Sequence, residues 1–385
     1  MSYFTETQAG TGLCEALRLG ISVAGGPNNQ TFLRHDKVGL LQALTDETNS
    51  PWLYRTALSD RSLRRVIIPR IPRATPDEAG DGYECGTGET VDIVDQSVDP
   101  RDFMRAGMSF RLTHEQLQDY CNSFSAIVNA AGSDVPEVLA GFGTGSLDST
   151  GLAHFNHTFN LLASRISALR TKIDADLMAK ITTNAGINAA TGSAAPTIIG
   201  LLNAGDFSKR EEALQTLMEH WQTNSVNGLP LIVGNGLFSR FNTSFQYGCC
   251  NSNGLNWDGM RADSPYKFYR DDNILSVTGD QDIFIVLAPG ESQFVYVNQE
   301  ILNDNKMVTQ GNVVYSTVAD PIVPGLRYDL RVEYTACDEF GNSNPAWNVH
   351  IELQYDLVMT PVFSYNPTDR LHGVNGVFLY EGTTV

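Results

Sequence analysis

One stretch constrains this 385-residue chain more than any other. Phe155, Phe159, Leu162, Ile166, Leu169, Ile173, Leu177 and Ile181 recur at three- and four-residue steps. That period predicts one amphipathic helix over about 154–181, roughly 40 Å long at 1.5 Å per residue. It is about twice the usual helix length. Coiled-coil e/g charge pairing is absent, so the stripe has to face the chain's own core. The rest of the molecule must be arranged around a long bar.

Charge narrows the classes further. Lysine and arginine total 26 against 44 acidic residues, a net charge of −18. A uniformly acidic protein is a poor free-standing binder of nucleic acid or anionic membrane. No window approaches 18 consecutive apolar residues, so no membrane span is expected. Met1–Gln8 has neither a basic stretch nor an apolar stretch of the signal-peptide kind. Six scattered cysteines without a CxxC read as reduced thiols.

The charges are not evenly spread. Residues 55–73 carry Arg55, Arg61, Arg64, Arg65, Arg70 and Arg73 against Asp60 alone, a local +5. Residues 76–102 carry Asp77, Glu78, Asp81, Glu84, Glu89, Asp92, Asp95, Asp99 and Asp102 against Arg101, a local −8. Within this region Arg65–Arg73 and Glu89–Val98 read as two strands separated by Gly/Asp turns, a long ribbon. Two strands with few apolar residues are marginal alone. The ribbon is expected to lie against another surface.

Ahead of it, residues 1–50 read as an arm with short helices, one with the spacing Leu33, Val38, Leu41, Leu44. Thr113–Gln116 is a capping box that opens a helix to about Ala130. After the long helix, Asn184–Gly200 reads as loop. A second capping box at Ser208–Glu211 starts a helix ending near Asn227-Gly228. Leu229–Val233 and Ile283–Gly290 read as buried strands, and Leu237–Tyr247 as a helix between them. Together these predict an α/β domain over 184–325. Tyr328–Tyr334 and Val349–Leu357 alternate and predict a long antiparallel hairpin turning at Asp338–Pro345.

Chemistry is thin. Gly20–Ala24 is close to a nucleophile elbow around Ser22 but follows a helix-like run rather than a strand. Gly141-x-Gly-x-Gly145 lacks the preceding strand of a dinucleotide site and reads as a hinge. His154 and His157 are one turn apart without a third ligand. Cys249-Cys250 has no CxxC partner and reads as buried thiols. Asp271-Asp272-Asn273 and Asp280-x-Asp282 lack the Gly and terminal Glu of a calcium loop and read as solvated turns. No catalytic residue, cofactor or metal ligand is assigned.

The order of parts, with the phrases Cys85–Glu89, Ser109–Gln116, Leu169–Leu177, Pro230–Gly236, Phe268–Asn273 and Val286–Gly290, resembles the major capsid proteins of tailed bacteriophages. Their Hong Kong 97-like fold is shared with the herpesvirus shell floor and encapsulins. The resemblance covers about residues 50–360 and rests on order and spacing. It implies an α+β fold with an N-arm (1–64), an extended E-loop (65–102), a peripheral domain with a spine helix (103–183), an axial domain (184–325), and peripheral strands with a tail (326–385). It implies a virion shell of hexamers and pentamers around packaged double-stranded DNA, assembled in a bacterial cytoplasm. Portal, scaffolding and decoration proteins are the implied partners; no membrane is.

Two departures qualify it. No lysine lies between Lys37 and Lys172, so isopeptide welding from the E-loop has no nucleophile and a non-covalent shell is expected. The early spine helix leaves little room for a fused scaffolding segment, so no N-terminal processing is expected. The six arginines of 55–73 and the acids Asp77, Glu78, Asp81, Glu84, Glu89, Asp92 and Asp95 are the candidate contacts between subunits. The open alternative is that these arginines face acids of their own chain or DNA. An encapsulin-like compartment, a tail or baseplate protein, and an acidic hydrolase are the rival readings.

Overall fold

The computed structural model describes residues 38–46, 54–58, 66–70, 94–99, 102–113, 149–202, 208–224, 226, 228–247, 265–299, 308–320, 322–323, 325–337, 343–359 and 375–384. The candidate contacts Arg61, Arg64, Arg65, Arg73, Asp77, Glu78, Asp81, Glu84, Glu89 and Asp92 lie outside them. So do the expected helix after Thr113, the Gly141–Gly145 hinge, Ser22 and Cys249-Cys250.

Five helices are described: α1 (Gly39–Thr45), α2 (Ser149–Thr183), α3 (Ser208–Thr223), α4 (Gly236–Tyr247) and α5 (Ile274–Thr278). The strands are β1 (Tyr54–Leu58), β2 (Val66–Arg70), β3 (Val94–Val98), β4 (Met104–Thr113), β5 (Thr197–Leu202), β6 (Leu231–Gly234), β7 (Lys267–Arg270) and β8 (Ile283–Leu287). They continue with β9 (Ser292–Gln299), β10 (Val308–Gln310), β11 (Val313–Ala319), β12 (Arg327–Cys337), β13 (Ser343–Met359) and β14 (Val377–Thr384).

The predicted bar is α2, longer at both ends than the apolar stripe, at 35 residues and thus about 52 Å. Leu162, Ile166, Leu169, Ile173, Leu177 and Ile181 are all buried. Its C-terminus is closed by Asn184, whose side-chain amide and backbone N–H both donate to the Lys180 carbonyl.

A seven-stranded sheet runs β1-β9-β13-β12-β11-β10, with β4 pairing β13 off that path. The β12–β13 hairpin is antiparallel as its alternation predicted, Leu330 opposite Ile351 and Val332 opposite Val349. Strand β4 was not anticipated. Its burial alternates, with Ala106, Phe110 and Leu112 inward and Arg105, Ser109 and Arg111 outward.

A five-stranded sheet runs β5-β14-β8-β6-β7. Its inner strands β6 and β8 are buried on both faces, as sheets covered on both sides are. Ile232, Phe284, Val286, Phe378 and Tyr380 pack with Leu217 and Trp221 of α3 and Phe238 and Phe241 of α4. The alternate residues Leu231, Val233, Ile285, Leu287, Val377 and Leu379 join the larger core with α1, α2 and the seven-stranded sheet.

Sheet membership cuts across the expected 184–325 grouping. Strands β9, β10 and β11 belong to the seven-stranded sheet, while β14 from 377–384 lies inside the other, parallel to β5 and antiparallel to β8. The segment read as loop over 184–200 ends in β5, which acquires its strand character from β14. Helix α3 starts at Ser208 as expected but ends at Thr223, because the backbone N–H and the side-chain amide of Asn224 both donate to the His220 carbonyl.

Strands β2 and β3 pair antiparallel with each other, Val66 opposite Val98 through Arg70 opposite Val94. They form a separate two-stranded sheet.

Candidate functional site

Polar side chains on the long helix tie it to everything else. Arg170 and Asp174 stand one turn apart on α2, and both are 0% exposed. Each reaches a different partner.

Arg170 donates from Nε to Asp320 Oδ2 at 3.0 Å, with both side chains fully buried. Asp320, which follows β11, also accepts the Tyr328 hydroxyl at 2.6 Å and the backbone N–H groups of Ile322 and Val323, each at 2.8 Å. The carboxylate is thus saturated by donors, the condition under which a buried charge is tolerated. Burial, and then the Asp320 charge, push the Tyr328 phenol well above its ordinary value. This node fastens α2 to the seven-stranded sheet. Lower on the helix, Lys180 pairs with Asp356 of β13, and the Tyr355 hydroxyl donates to Asp176 at 2.7 Å.

Asp174 faces Asp271, which follows β7 and is also 0% exposed. The expectation of a solvated turn at Asp271 is corrected: the residue lies in the core. Asp271 Oδ2 accepts the Leu40 N–H at 2.9 Å and Asp174 Oδ1 accepts the Leu41 N–H at 2.8 Å. Asn273 completes the group, donating its side-chain amide to Asp174 at 2.7 Å and its backbone N–H to Asp271 at 2.8 Å. The reason for the burial is α1. A helix leaves its first N–H groups without internal partners, and Val38 supplies no side-chain cap. The acceptors therefore come from elsewhere in the chain.

The apolar residues of α1 are seated: Leu40, Leu41, Ala43 and Leu44 are all buried. Beyond its end, Asp46 pairs with Lys267 at 3.1 Å and accepts the Tyr269 hydroxyl. The seat is tight. A Cβ on Gly39 would lie 2.7 Å from the Arg270 carbonyl oxygen, and backbone cannot yield as a side-chain tip can. Gly39→Ala is expected to lower unfolding stability by about 1–3 kcal/mol, seen in denaturant midpoints of the unassembled chain. An unchanged midpoint would mean the helix can shift in its seat.

The candidate subunit contacts are placed only in part. Arg55 is on β1, which lies parallel to β9 with Arg55 opposite Tyr296. Arg70 ends β2 and Asp95 is on β3 opposite Pro69, so Arg70 and Asp95 occupy neighbouring register positions. The arginine-bearing strand and the acidic strand are thus partners in one ribbon. His154 and His157 are on α2.

Sequence reasoning missed Arg170, Asp174, Asp271 and Asp320 as partners. Arg170 and Asp174 flank the apolar stripe of α2, where a charge ordinarily reads as solvated, and nothing local distinguishes them.

No family model matches the chain, and no curated protein does. Solved structures similar to it include the Cyanophage A-1(L) capsid asymmetric unit, at 12% identity over 92% of this chain and 98% of that one, TM-score 0.48. Mycobacterium phage Che8 is similar at 13% identity over 82% and 84%, TM-score 0.37. A virus-like particle from Pyrococcus furiosus is similar at 11% over 91% and 100%, TM-score 0.35. The chain itself is α+β. At TM-scores below 0.5, function has to be read from the chain's own architecture.

Proposed function

We propose that the chain is a shell-forming major capsid protein of a tailed bacteriophage, a structural rather than a catalytic protein. Copies assemble as hexamers and pentamers into a closed, non-covalent icosahedral virion shell around double-stranded DNA, which the inner face contacts without sequence specificity. Portal, scaffolding and decoration proteins are the expected further partners, and the host cytoplasm the site of assembly.

One observation carries this reading. A 35-residue helix is bonded to both of two separate sheets, while β2 and β3 form a two-stranded ribbon that pairs with no other described strand. Such a ribbon is marginal by itself and needs a surface to rest on; a neighbouring copy supplies one at every position of a closed shell.

The charge map sets the terms of assembly. Copies at −18 each repel one another, but screening at physiological salt limits that repulsion to about 8 Å. Apolar burial and local pairing then dominate. Arginine suits the local pairing because its planar fork meets carboxylates bidentately. Exposed pairs contribute only about 0–1 kcal/mol each, so many must act in parallel between the 76–102 segment and a neighbour's 55–73 segment.

Negative-stain microscopy of the expressed chain is expected to show closed polyhedra. Joint reversal of Arg64→Glu and Arg65→Glu is expected to abolish them while leaving the monomer's circular dichroism unchanged. Normal particles from that double variant would discard the ribbon pairing. A wild-type chain that stays a solitary monomer in every buffer would discard the shell. Closed particles holding protein cargo and no nucleic acid would favour an encapsulin-like compartment.

A further inference from the structure

Helix α1 is held at its N-terminal end by two carboxyl groups that face each other in the core. Leu40 and Leu41 donate one N–H to each, and Asn273 donates one hydrogen bond to each. The other charged groups nearby are committed elsewhere. On α2, Arg170 pairs with Asp320, and Lys172 pairs with Asp176 at 2.9 Å. Around β7, Arg270 and Asp272 are 3.6 Å apart, and Lys267 pairs with Asp46 beyond the far end of α1. Helix α5 (Ile274–Thr278) contributes no titratable side chain.

Two carboxylates in contact inside an apolar core do not both ionise; one proton stays with the pair. We propose that Asp174 and Asp271 form a proton-dependent latch that keeps α1 docked in the core and releases it as the shared proton leaves.

The sign follows from counting protons. Burial first, and then the neighbouring Asp271, raise the Asp174 carboxyl well above its ordinary range; burial raises Asp271 as well. The docked state holds one more proton than the undocked state at any pH above the ordinary aspartate value of about 3.9 and below the raised value. Undocking therefore releases a proton, and docking weakens as pH rises through that window. The dependence is about tenfold per pH unit for one proton. Above the raised value both states have lost the proton and the dependence flattens.

Hydrogen–deuterium exchange of the full unassembled chain at pH 4.5, 5.5 and 6.5, corrected for intrinsic exchange rates, tests this. Protection of the peptide covering 38–46 is expected to fall as pH rises, by up to about tenfold per pH unit, while a peptide within β13 keeps its protection. The double variant Asp174→Asn with Asp271→Asn keeps acceptors for the Leu41 and Leu40 N–H groups but leaves neither position able to titrate, so its slope is expected to be flat. A flat wild-type slope overturns the latch whether or not the variant folds. A variant slope equal to wild type overturns it too. Particle formation is a separate measurement, so failure of the shell reading leaves this result standing.

Discussion

Asp320→Ala is expected to destabilise the chain by about 3–5 kcal/mol, the cost of stranding a buried charge by removing its partner. Asp320 accepts four hydrogen bonds, from Arg170, Tyr328, Ile322 and Val323. Alanine removes all four acceptor contacts and leaves the Arg170 guanidinium in the core without this counter-ion. The loss falls at the junction of α2 with the seven-stranded sheet, so the long helix is expected to loosen first. For a chain of this length the loss corresponds to a fall of about 4–6 °C in Tm, read by calorimetry on unassembled protein. The paired change Arg170→Met with Asp320→Leu removes both charges and is expected to cost less than Asp320→Ala alone. A fall below about 1 °C in the single variant would show that the pair is not holding the helix.

Phe284→Ala is expected to cost about 3–5 kcal/mol, the range for emptying a buried aromatic site. Phe284 lies at the middle of the five-stranded sheet's helix-covered face. Its ring centroid is 4.4 Å from that of Phe238 and 5.3 Å from that of Tyr380. These three residues come from β8, α4 and β14, so one deletion removes contacts from three elements at once. Phe238 also meets Phe241, Phe268 and Tyr266 with centroids 5.4–5.8 Å apart, and the cavity would open inside that cluster. Protease cleavage within 236–247 is expected to rise together with the fall in Tm. Phe284→Leu retains most of the volume and is expected to cost under about 1.5 kcal/mol. Equal losses in the two variants would show that the ring's shape, rather than its volume, sets the energy.

These two sites differ in how visible they were along the chain. Phe284 sits in a continuous apolar run, Ile283–Leu287, that reads as a buried strand from local pattern alone. Asp320 carries no local mark. It precedes a Pro-containing turn and could as well be solvated; its role exists only because Arg170, 150 residues earlier, arrives beside it. Asp271 is the sharper case. In Asp271-Asp272-Asn273 three polar residues in a row read as a surface turn, and Asp272 is indeed half exposed. Asp271 is buried because α1 brings one unsatisfied N–H group to it and a second to Asp174 beside it.

Strand β4 is a different kind of miss. Met104, Ala106, Met108, Phe110 and Leu112 alternate with Arg105, Gly107, Ser109 and Arg111. The signal was present locally but was overshadowed by the capping box that begins at Thr113. Strand β14 could not be placed in this way. Val377–Tyr380 reads as apolar, but its position between β5 and β8 depends on pairing across at least ninety residues, beginning with Leu287 opposite Val377.

Periodicity and end signals were enough for the long helix, α1, the start of α3, α4, β6, β8 and the β12–β13 hairpin. Each of these depends on which neighbours in sequence are apolar, a property carried by a few consecutive side chains. The partition of strands between two sheets, and the burial of Arg170, Asp174, Asp271 and Asp320, belong to the tertiary structure. A buried charge is stable only when donors or acceptors from distant segments converge on it, and convergence of that kind leaves no trace in the spacing of residues.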